Sequence, residues 1–353
     1  MAKKILKPSV SNNDQEDKAA DQLVGKTQEL IGNTLQNPAI NGMFKLNSKR
    51  NTKKNYNREL VVKFDAVTAV TTKTRLGLPE QVMLDYIIDK YAQTPDHDNN
   101  KVVKFTLKDY MKDTKRTDAK SARNSLRKCL DTLLHTVYSY SGGTSKNPYN
   151  QNFGGHHILD YDYRRGQVTI DFSDFFFDLL VHGTMPMPHY KIIYQLDPIN
   201  DATTIYVLRA LEVNKRINKP KKKGENKKKE SPARGDRIKV KTLLHDVPSL
   251  ATHDELKKSN DRHTYKRLVV PILNAVEQLA DPQNDNRAID EYCFIDANNN
   301  ELDYESLDYD TFAKSTLIIK KWHNYPEELL EKWSEKQKKI RDKQKKQATK
   351  KKK

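Results

Sequence analysis

Residues 119–137 read AKSARNSLRKCLDTLLHTV, and residues 262–279 read RHTYKRLVVPILNAVEQL. Both stretches carry apolar residues at i, i+4, i+7, i+8 and i+11, a spacing that places them on one face of a helix. The first set is Leu126, Leu130, Leu133, Leu134 and Val137. The second set is Leu268, Ile272, Ala275, Val276 and Leu279. The sequence therefore predicts two amphipathic helices, each with one face pressed on a core.

A strand followed by a short helix is predicted before each long helix, and a β-hairpin after it. Before the first helix the apolar positions are Phe105, Leu107, Tyr110 and Met111, and their counterparts are Ile238, Val240, Leu243 and Leu244. Alternation predicts one hairpin from residues 158–163 and 167–172 and another from residues 292–295 and 316–319. This order is typical of a winged helix-turn-helix. The fold class is therefore predicted to be α+β, with two tandem winged helix-turn-helix domains and disordered basic arms.

Composition shifts suggest the domain boundaries. Residues 1–59 are rich in Asn, Gln, Lys and Ser and are expected to form a disordered arm. Residues 60–190 and 191–325 form the two predicted domains, and the second contains a flexible Lys-rich insertion at residues 219–235. Residues 326–353 form a basic tail.

The sequence also predicts the bounds of several individual elements. Residues 60–64 are predicted to form a strand, and Thr106 is predicted to cap a helix over residues 107–113. The first long helix is expected to continue to Val137, followed by a loop over residues 141–155, and residues 185–188 (MPMP) are expected to break the pattern of regular elements.

The net charge of +17 is concentrated in particular segments. Counting Lys and Arg against Asp and Glu gives about +5 for residues 1–60, about +10 for residues 215–241 and about +9 for residues 331–353. Such segments bind any nucleic acid in a salt-sensitive way without choosing a sequence. The alternative is that they only improve solubility.

Several classes of protein are excluded or disfavoured. No apolar run reaches the ~20 residues of a membrane span, and no P-loop motif is present. Two cysteines in predicted core elements, Cys129 and Cys293, argue against a disulfide scaffold or a Cys-based zinc site as the basis of the fold. A reduced, cytoplasmic protein without cofactor, metal or membrane partner is expected. His156 and His157 suggest a nicking enzyme's metal pair, but neighbouring strand residues point to opposite faces.

The chemistry is expected on the front ends of the two long helices, since those turns enter the major groove in this fold. In the second half, Arg suits the paired acceptors of guanine, whereas Lys and Tyr suit phosphates or single base edges. The candidates there are Arg262, His263, Tyr265, Lys266 and Arg267, together with Lys257 and Lys258 in the preceding turn. The alternative is an ordinary solvated helix start.

The first half offers a similar cationic set. Arg123 and Arg127 are four residues apart and share a helix face. The candidates are Lys115, Arg116, Lys120, Arg123, Arg127 and Lys128, with Arg164 and Arg165 at the tip of the first hairpin. A solvated face remains the alternative. The second hairpin differs, because residues 281–310 hold ten acidic residues and only one basic residue, Arg287. Because acidic side chains are repelled by the DNA backbone, this wing is expected to face away from DNA, where it has a shielding role or contacts a basic partner.

The order of elements, with residues 84–88 (LDYII), 122–127 (ARNSLR) and 265–268 (YKRL), resembles the plasmid replication initiator family, the iteron-binding Rep proteins with tandem winged-helix domains. The resemblance spans about residues 60–325. It implies that the second winged helix reads repeated origin sites, with Arg262, Lys266 and Arg267 at bases or adjacent phosphates. It also implies that Arg123, Arg127 and Lys128 hold phosphate, and that the first domain supplies the dimer interface. The N-terminal arm, the insertion and the acidic wing depart from the family.

The resulting hypothesis is a non-enzymatic initiator that binds double-stranded origin repeats and recruits the host replication initiator and helicase machinery, with a possible homodimer. The alternatives are a transcriptional repressor, a metal-dependent nicking enzyme, and a non-specific basic nucleic-acid protein.

Overall fold

The computed structural model describes residues 31–35, 60–64, 67–71, 77–140, 153–178, 180, 186–218, 234–303 and 307–325. Nearly all of them belong to one compact unit, Gly32–Trp322. Within the predicted disordered arm at residues 1–59, the structure describes one stretch, the strand Ile31–Leu35, which pairs with the strand Pro186–Tyr190. The rest of the arm, most of the insertion and the tail at residues 326–353 lie outside the described residues, so the expectations for them stay predictions.

The first half of this unit is a winged helix. Its elements in chain order are β1 (Ile31–Leu35), β2 (Leu60–Phe64), β3 (Val67–Thr71), α1 (Leu78–Ala92), β4 (Val102–Thr106), α2 (Leu107–Asp113), α3 (Ala119–Leu134), β5 (Thr136–Tyr140), β6 (Phe153–His156), β7 (Ile158–Arg164) and β8 (Gln167–Phe172). Strands β4, β8 and β7 form an antiparallel sheet in that order. Helices α1, α2 and α3 with this sheet give the order helix, strand, helix, helix and hairpin, which contains the predicted strand, short helix, long helix and hairpin.

The second half repeats the arrangement. A connecting stretch first adds α4 (Asp174–Asp178), whose Phe176 packs on His157 and Phe172 of the first half, then β9 (Pro186–Tyr190) and α5 (Ile192–Gln195). The elements of the second winged helix are α6 (Ala202–Ile217), β10 (Arg237–Lys239), α7 (Val240–Asp246), α8 (His253–Lys258), a π-helical turn (Tyr265–Val269), α9 (Val270–Leu279), β11 (Ile289–Ile295), α10 (Tyr309–Lys314) and β12 (Thr316–Trp322). Strands β10, β12 and β11 form the second antiparallel sheet in that order. The fold class of two tandem winged helices is confirmed.

Short polar signals in the sequence define where the helices of the first winged helix begin. Thr106 Oγ1 accepts a hydrogen bond from the Asp109 amide at 3.0 Å, and the Asp109 carboxylate accepts one from the Thr106 amide at 3.1 Å. The Asp118 carboxylate caps α3 by accepting from the amides of Lys120 and Ser121. Each cap satisfies helix amides that have no partner within the helix, and is worth about 1 kcal/mol. The predicted cap at Thr106 is confirmed.

An aromatic cluster fills the core beneath the first winged helix. The Tyr86 ring meets the rings of Phe105, Tyr110 and Tyr194 edge-on, with 5.3 Å between centroids in each pair. Cys129 also lies in this core, and burial raises the pKa of its thiol to about 12. The thiol is therefore protonated and unreactive near neutral pH, in agreement with its predicted core position.

The first long helix ends three residues earlier than predicted. Helix α3 stops at Leu134, and Thr136–Tyr140 forms β5, which pairs with β3 and β6. The β-prone run TVYSY gains a ladder partner on each side, which outweighs the continuing helical pattern. The buried face is consequently shifted by one helical turn to Ala122, Leu126, Cys129, Leu130 and Leu133.

Two loop predictions and one turn prediction also need correction. Strand β6 occupies Phe153–His156 within the predicted loop at residues 141–155, because it completes the sheet beside β5. Strand β9 occupies Pro186–Tyr190, where a break was predicted. The long turn predicted before the second long helix contains α8, which a capping box between Thr252 and Glu255 starts. The predicted buried face of that second helix is confirmed.

A buried polar network joins the two winged helices through their first helices. Arg209 of α6 forms an ion pair with Asp85 of α1, and the two residues are 7% and 3% exposed. The hydroxyl of Tyr194 in α5 donates to the Asp85 carbonyl at 3.3 Å, and Glu212 of α6 accepts from the Tyr190 amide at 2.7 Å. These contacts fix how α1 of the first repeat lies relative to α6 of the second.

Candidate nucleic-acid interface

The outer face of α3 carries the predicted cations. Lys120, Arg123, Arg127 and Lys128 are all exposed, whereas the opposite face is buried in the core. Their neighbours on α3 in the first two turns include no acidic side chain after the cap, Asp118. From Lys120 to Lys128 this face is therefore positive and suited to phosphates, and it ends at the exposed carboxylate of Asp131.

Two of these arginines are held by the wing. The guanidinium of Arg127 lies 4.8 Å from the centre of the Tyr163 ring of β7, and that of Arg123 lies 6.0 Å from it. One turn further on, the hydroxyl of Tyr161 donates to the carboxylate of Asp131 in α3, and burial with this contact raises the pKa of Tyr161 to about 12. Wing and helix thus form one surface. Sequence reasoning missed both tyrosines, although their alternation with Asp160 and Asp162 placed them on one side of the strand.

Removing the Tyr163 ring tests this arrangement. A cation–π contact at an exposed site is worth about 0.5–1 kcal/mol, so we expect Tyr163→Leu to weaken DNA binding by about two- to fivefold. Tyr163→Phe keeps the ring and should bind like the wild type. Affinity measured by fluorescence anisotropy at fixed salt checks this, and equal losses in both variants would contradict the role of the ring.

The turn before α3 holds two of the candidates in different environments. Lys115 is exposed and has a left-handed backbone, with φ of 51°. Arg116 is half-buried, and its guanidinium lies 5.9 Å from the Tyr110 ring centre. Packing therefore restrains Arg116, while Lys115 is solvated.

The first wing ends in a tight turn that exposes both predicted arginines. Arg165 and Gly166 have φ of 49° and 81°, the two positive values that a type I′ hairpin turn requires. Arg164 and Arg165 are exposed, and the Arg164 Nε lies 3.0 Å from the Asp162 carboxylate. Arg165 is consequently the cation at the tip with no carboxylate within ion-pair distance among the described residues.

The front of the second long helix is also cationic. Arg262, His263, Lys266 and Arg267 are exposed, and Tyr265 is 39% exposed. One oxygen of the Asp261 carboxylate accepts from the His263 amide at 2.8 Å, and the other lies 3.6 Å from Arg267 Nε. Asp261, which was not predicted, therefore restrains the start of the helix and one arginine. Lys257 and Lys258 are exposed in the last turn of α8.

The second wing carries its acidic residues in ion pairs with its own lysines. Lys320 of β12 lies 2.7 Å from Glu301 and 3.5 Å from Glu291, and Lys321 lies 3.0 Å from Asp290. Asp290 also lies 2.9 Å from Arg287. The acidic surface is thus partly neutralised, and its expected orientation away from DNA stays a prediction.

The two adjacent histidines have separate environments. His156 Nδ1 lies 2.9 Å from the Leu134 carbonyl, whereas His157 is fully buried against the Phe176 ring. Burial lowers the pKa of His157 to about 3. Within the described residues, no cluster of three or more His, Cys, Asp or Glu side chains is placed to hold a metal ion.

The structure thus exposes the predicted residues at two helix fronts and one wing tip, except Arg116, which packs on Tyr110. Contact of any of them with DNA stays a prediction. Among the described residues, no helix is long and apolar enough to cross a membrane.

Comparisons with known proteins give structural neighbours only. No family model and no curated protein matches the chain. RctB domains 2–3 match with 11% identity and a TM-score of 0.42, covering 79% of this chain and 97% of that one. The Pi initiator protein, solved in complex with iteron DNA, matches with 13% identity and a TM-score of 0.39, covering 68% and 88%. The WH1 domain of MSBI1.176, a replication protein isolated from a multiple sclerosis patient, matches with 17% identity and a TM-score of 0.23, covering 29% and 79%.

Proposed function

We propose that this protein initiates replication by binding repeated double-stranded DNA sites through both winged helices. The observation that carries the proposal is the pair of exposed cationic helix fronts, one on each winged helix, within one compact unit. Each front belongs to a helix whose opposite face is buried, so the helix is held firmly while its cations stay exposed to solvent.

Double-stranded DNA suits this geometry. An α-helix with its side chains is about 10–12 Å wide, which matches the major groove of about 12 Å. The arginines suit guanine edges and phosphates, and the lysines suit phosphates. The buried contact between Asp85 and Arg209 joins the two winged helices that carry these fronts, which favours a site with two parts at a constant spacing.

The role in initiation follows from the resemblance to the iteron-binding Rep proteins. Recruitment of host replication proteins and a homodimeric form belong to the same proposal. A transcriptional repressor would use the same DNA contacts. The two roles separate in a plasmid maintenance assay: an initiator supports replication of a plasmid that carries its site, whereas a repressor only lowers expression from a neighbouring promoter.

The first experiment is footprinting of the full chain on its own coding locus and flanking DNA, with excess non-specific competitor at near-physiological salt. Protected repeats spaced by one or two helical turns are expected. Combined Arg262→Ala and Lys266→Ala substitutions should remove protection, because one good base contact alone is worth about 1–3 kcal/mol. Lys321→Ala, which removes a lysine from the acidic wing, is the matched control and should leave protection intact.

The competing hypothesis of non-specific binding by basic segments predicts a different result. If residues 219–235 and 331–353 dominate, protection is uniform, disappears with modest salt and is lost when both segments are deleted. If the helix fronts read the site, the doubly deleted chain binds more weakly but protects the same repeats. Uniform coverage would refute the proposed function.

A further inference from the structure

The second long helix is interrupted at a defined point. Residues 265–269 form a π-helical turn, in which the Val270 amide donates to the Tyr265 carbonyl, five residues earlier. Pro271 follows immediately, in the first turn of α9. A continuous α-helix would require the residue at position 271 to donate an amide hydrogen to the Arg267 carbonyl. Pro271 has no such hydrogen, and its ring would collide with that carbonyl. The wider turn removes the collision, and Pro271 therefore accounts for the interruption.

This turn changes which residue faces the core. Tyr265 precedes Ile272 by seven residues, so an uninterrupted α-helix would place both on the buried face. One extra residue in the turn rotates the preceding side chains by about 100°. Accordingly Thr264, eight residues before Ile272, is half-buried, while Tyr265 is 39% exposed and Ile272 fully buried.

Tyr265 consequently lies among the cations of the helix front. Lys266 and Arg267 follow it, both exposed, and Tyr265 is among the few exposed large apolar side chains of the described residues. The first repeat has no such turn in α3, which runs as a regular helix from Ala119 to Leu134. The interruption is therefore specific to the second winged helix.

We infer that Pro271 is a positioning residue that turns Tyr265 outward to contact a thymine methyl group in the major groove. The inference rests on the proposed function. An aromatic ring is a suitable partner for the C5 methyl group, which distinguishes thymine from the other bases in this groove. Lys266 and Arg267 then bind the DNA phosphates or an adjacent guanine.

The test begins with selection of preferred sites from a randomised double-stranded library by the full-length wild-type protein. Each thymine of the selected site is then replaced in turn by deoxyuridine, which keeps base pairing and removes only the methyl group. Wild-type affinity should fall about fourfold at one thymine, the effect of one buried methyl group. Tyr265→Ala and Pro271→Ala should each bind the DNA with thymine and the DNA with deoxyuridine at that position equally well.

The variants include their own controls. Pro282→Ala changes an exposed proline just beyond the other end of α9 and should keep the response to deoxyuridine. Pro271→Ala replaces a helix breaker by a strong helix former, so its melting temperature should be no lower than that of the wild type. In the Tyr265→Ala, Pro271→Ala double variant the response to deoxyuridine should be as absent as in either single variant, since both changes remove the same contact.

Each outcome is decisive. If Pro271→Ala still discriminates thymine from deoxyuridine, or selects the wild-type sequence unchanged, the inference is overturned while the proposed function stands. If Pro271→Ala does not fold, Tyr265→Ala tests the inference independently, because discrimination retained in that variant overturns it. If the wild-type protein selects no sequence at all, both the inference and the proposed function fail.

Discussion

The Arg209→Ala variant is expected to lose about 3–5 kcal/mol of unfolding free energy, because it leaves a buried carboxylate without its cation. Asp85 is 3% exposed and forms an ion pair with Arg209, which is 7% exposed. The loss should appear as a shift of the urea midpoint at an unchanged m-value.

A double variant separates the broken pair from a general packing defect. Replacing both charges by apolar residues, as in Asp85→Leu with Arg209→Met, removes the unmatched carboxylate of the single variant and should recover most of the stability. An ordinary packing defect predicts the reverse, since two changes would be worse than one. A loss below about 1 kcal/mol in Arg209→Ala would show that the pair is dispensable.

The same pair bears on DNA recognition. Helix α1 belongs to the first winged helix and α6 to the second, so Asp85 and Arg209 fix the relative position of the two cationic fronts. We expect the double variant, once stable, to tolerate altered spacing between the two parts of its site better than the wild type. Binding to sites with one or two inserted base pairs measures this.

Much of this architecture follows from local sequence signals. The spacing of Leu268, Ile272 and Leu279 predicts a buried helix face, and the alternation in residues 158–172 predicts a hairpin, because each pattern reflects one periodic element against one core. The order of these elements is sufficient to predict the winged helices. The cap at Thr106 is also local and predictable.

Other features depend on contacts between distant residues. The pattern of the first long helix continues past Leu134, yet β5 forms because β3 and β6 supply partners that no local pattern reveals. Similarly, Tyr163 packs near Arg127 only after the hairpin folds onto α3. Pro271 is different, since a proline within a helical pattern is itself a visible signal of interruption. It indicates a break, but not that a π turn relieves it or that Tyr265 becomes exposed.

The burial of charged residues on α1 and α6 is the feature of the fold that the sequence predicts least well. Asp85 and Glu212 look like solvated helix positions in the sequence, but both are buried where the two winged helices meet. Asp85 has a cation partner in Arg209, whereas Glu212 accepts from the Tyr190 amide through one oxygen. Burial raises the pKa of Glu212, which makes the stability of the protein depend on pH.

The Glu212→Gln variant is expected to be more stable than the wild type at pH 8 and to approach it in acid. Burial raises the pKa of Glu212 to about 8, and the hydrogen bond from the Tyr190 amide and the charge of Arg209 only partly oppose this. The folded protein thus keeps a proton that the unfolded chain releases near pH 4.5. Stability is full below that pH and decreases as pH rises towards 8, by about 1.4 kcal/mol per pH unit. Glutamine has the same shape and no proton to lose.

Comparing the wild type with Glu212→Gln at each pH isolates the contribution of the Glu212 carboxyl group to stability. Burial lowers the pKa of His189 to about 4, which makes the folded protein less stable as pH falls from 6.5 towards 4, the opposite sign. That contribution is common to both proteins and cancels in their difference. Urea unfolding at pH 5, 6.5 and 8 should show a difference in free energy that grows with pH, while Glu277→Gln, at an exposed position of α9, should show none. A difference independent of pH would mean that Glu212 is already ionised in the folded protein, and that Arg209 stabilises both carboxylates at the junction between the winged helices.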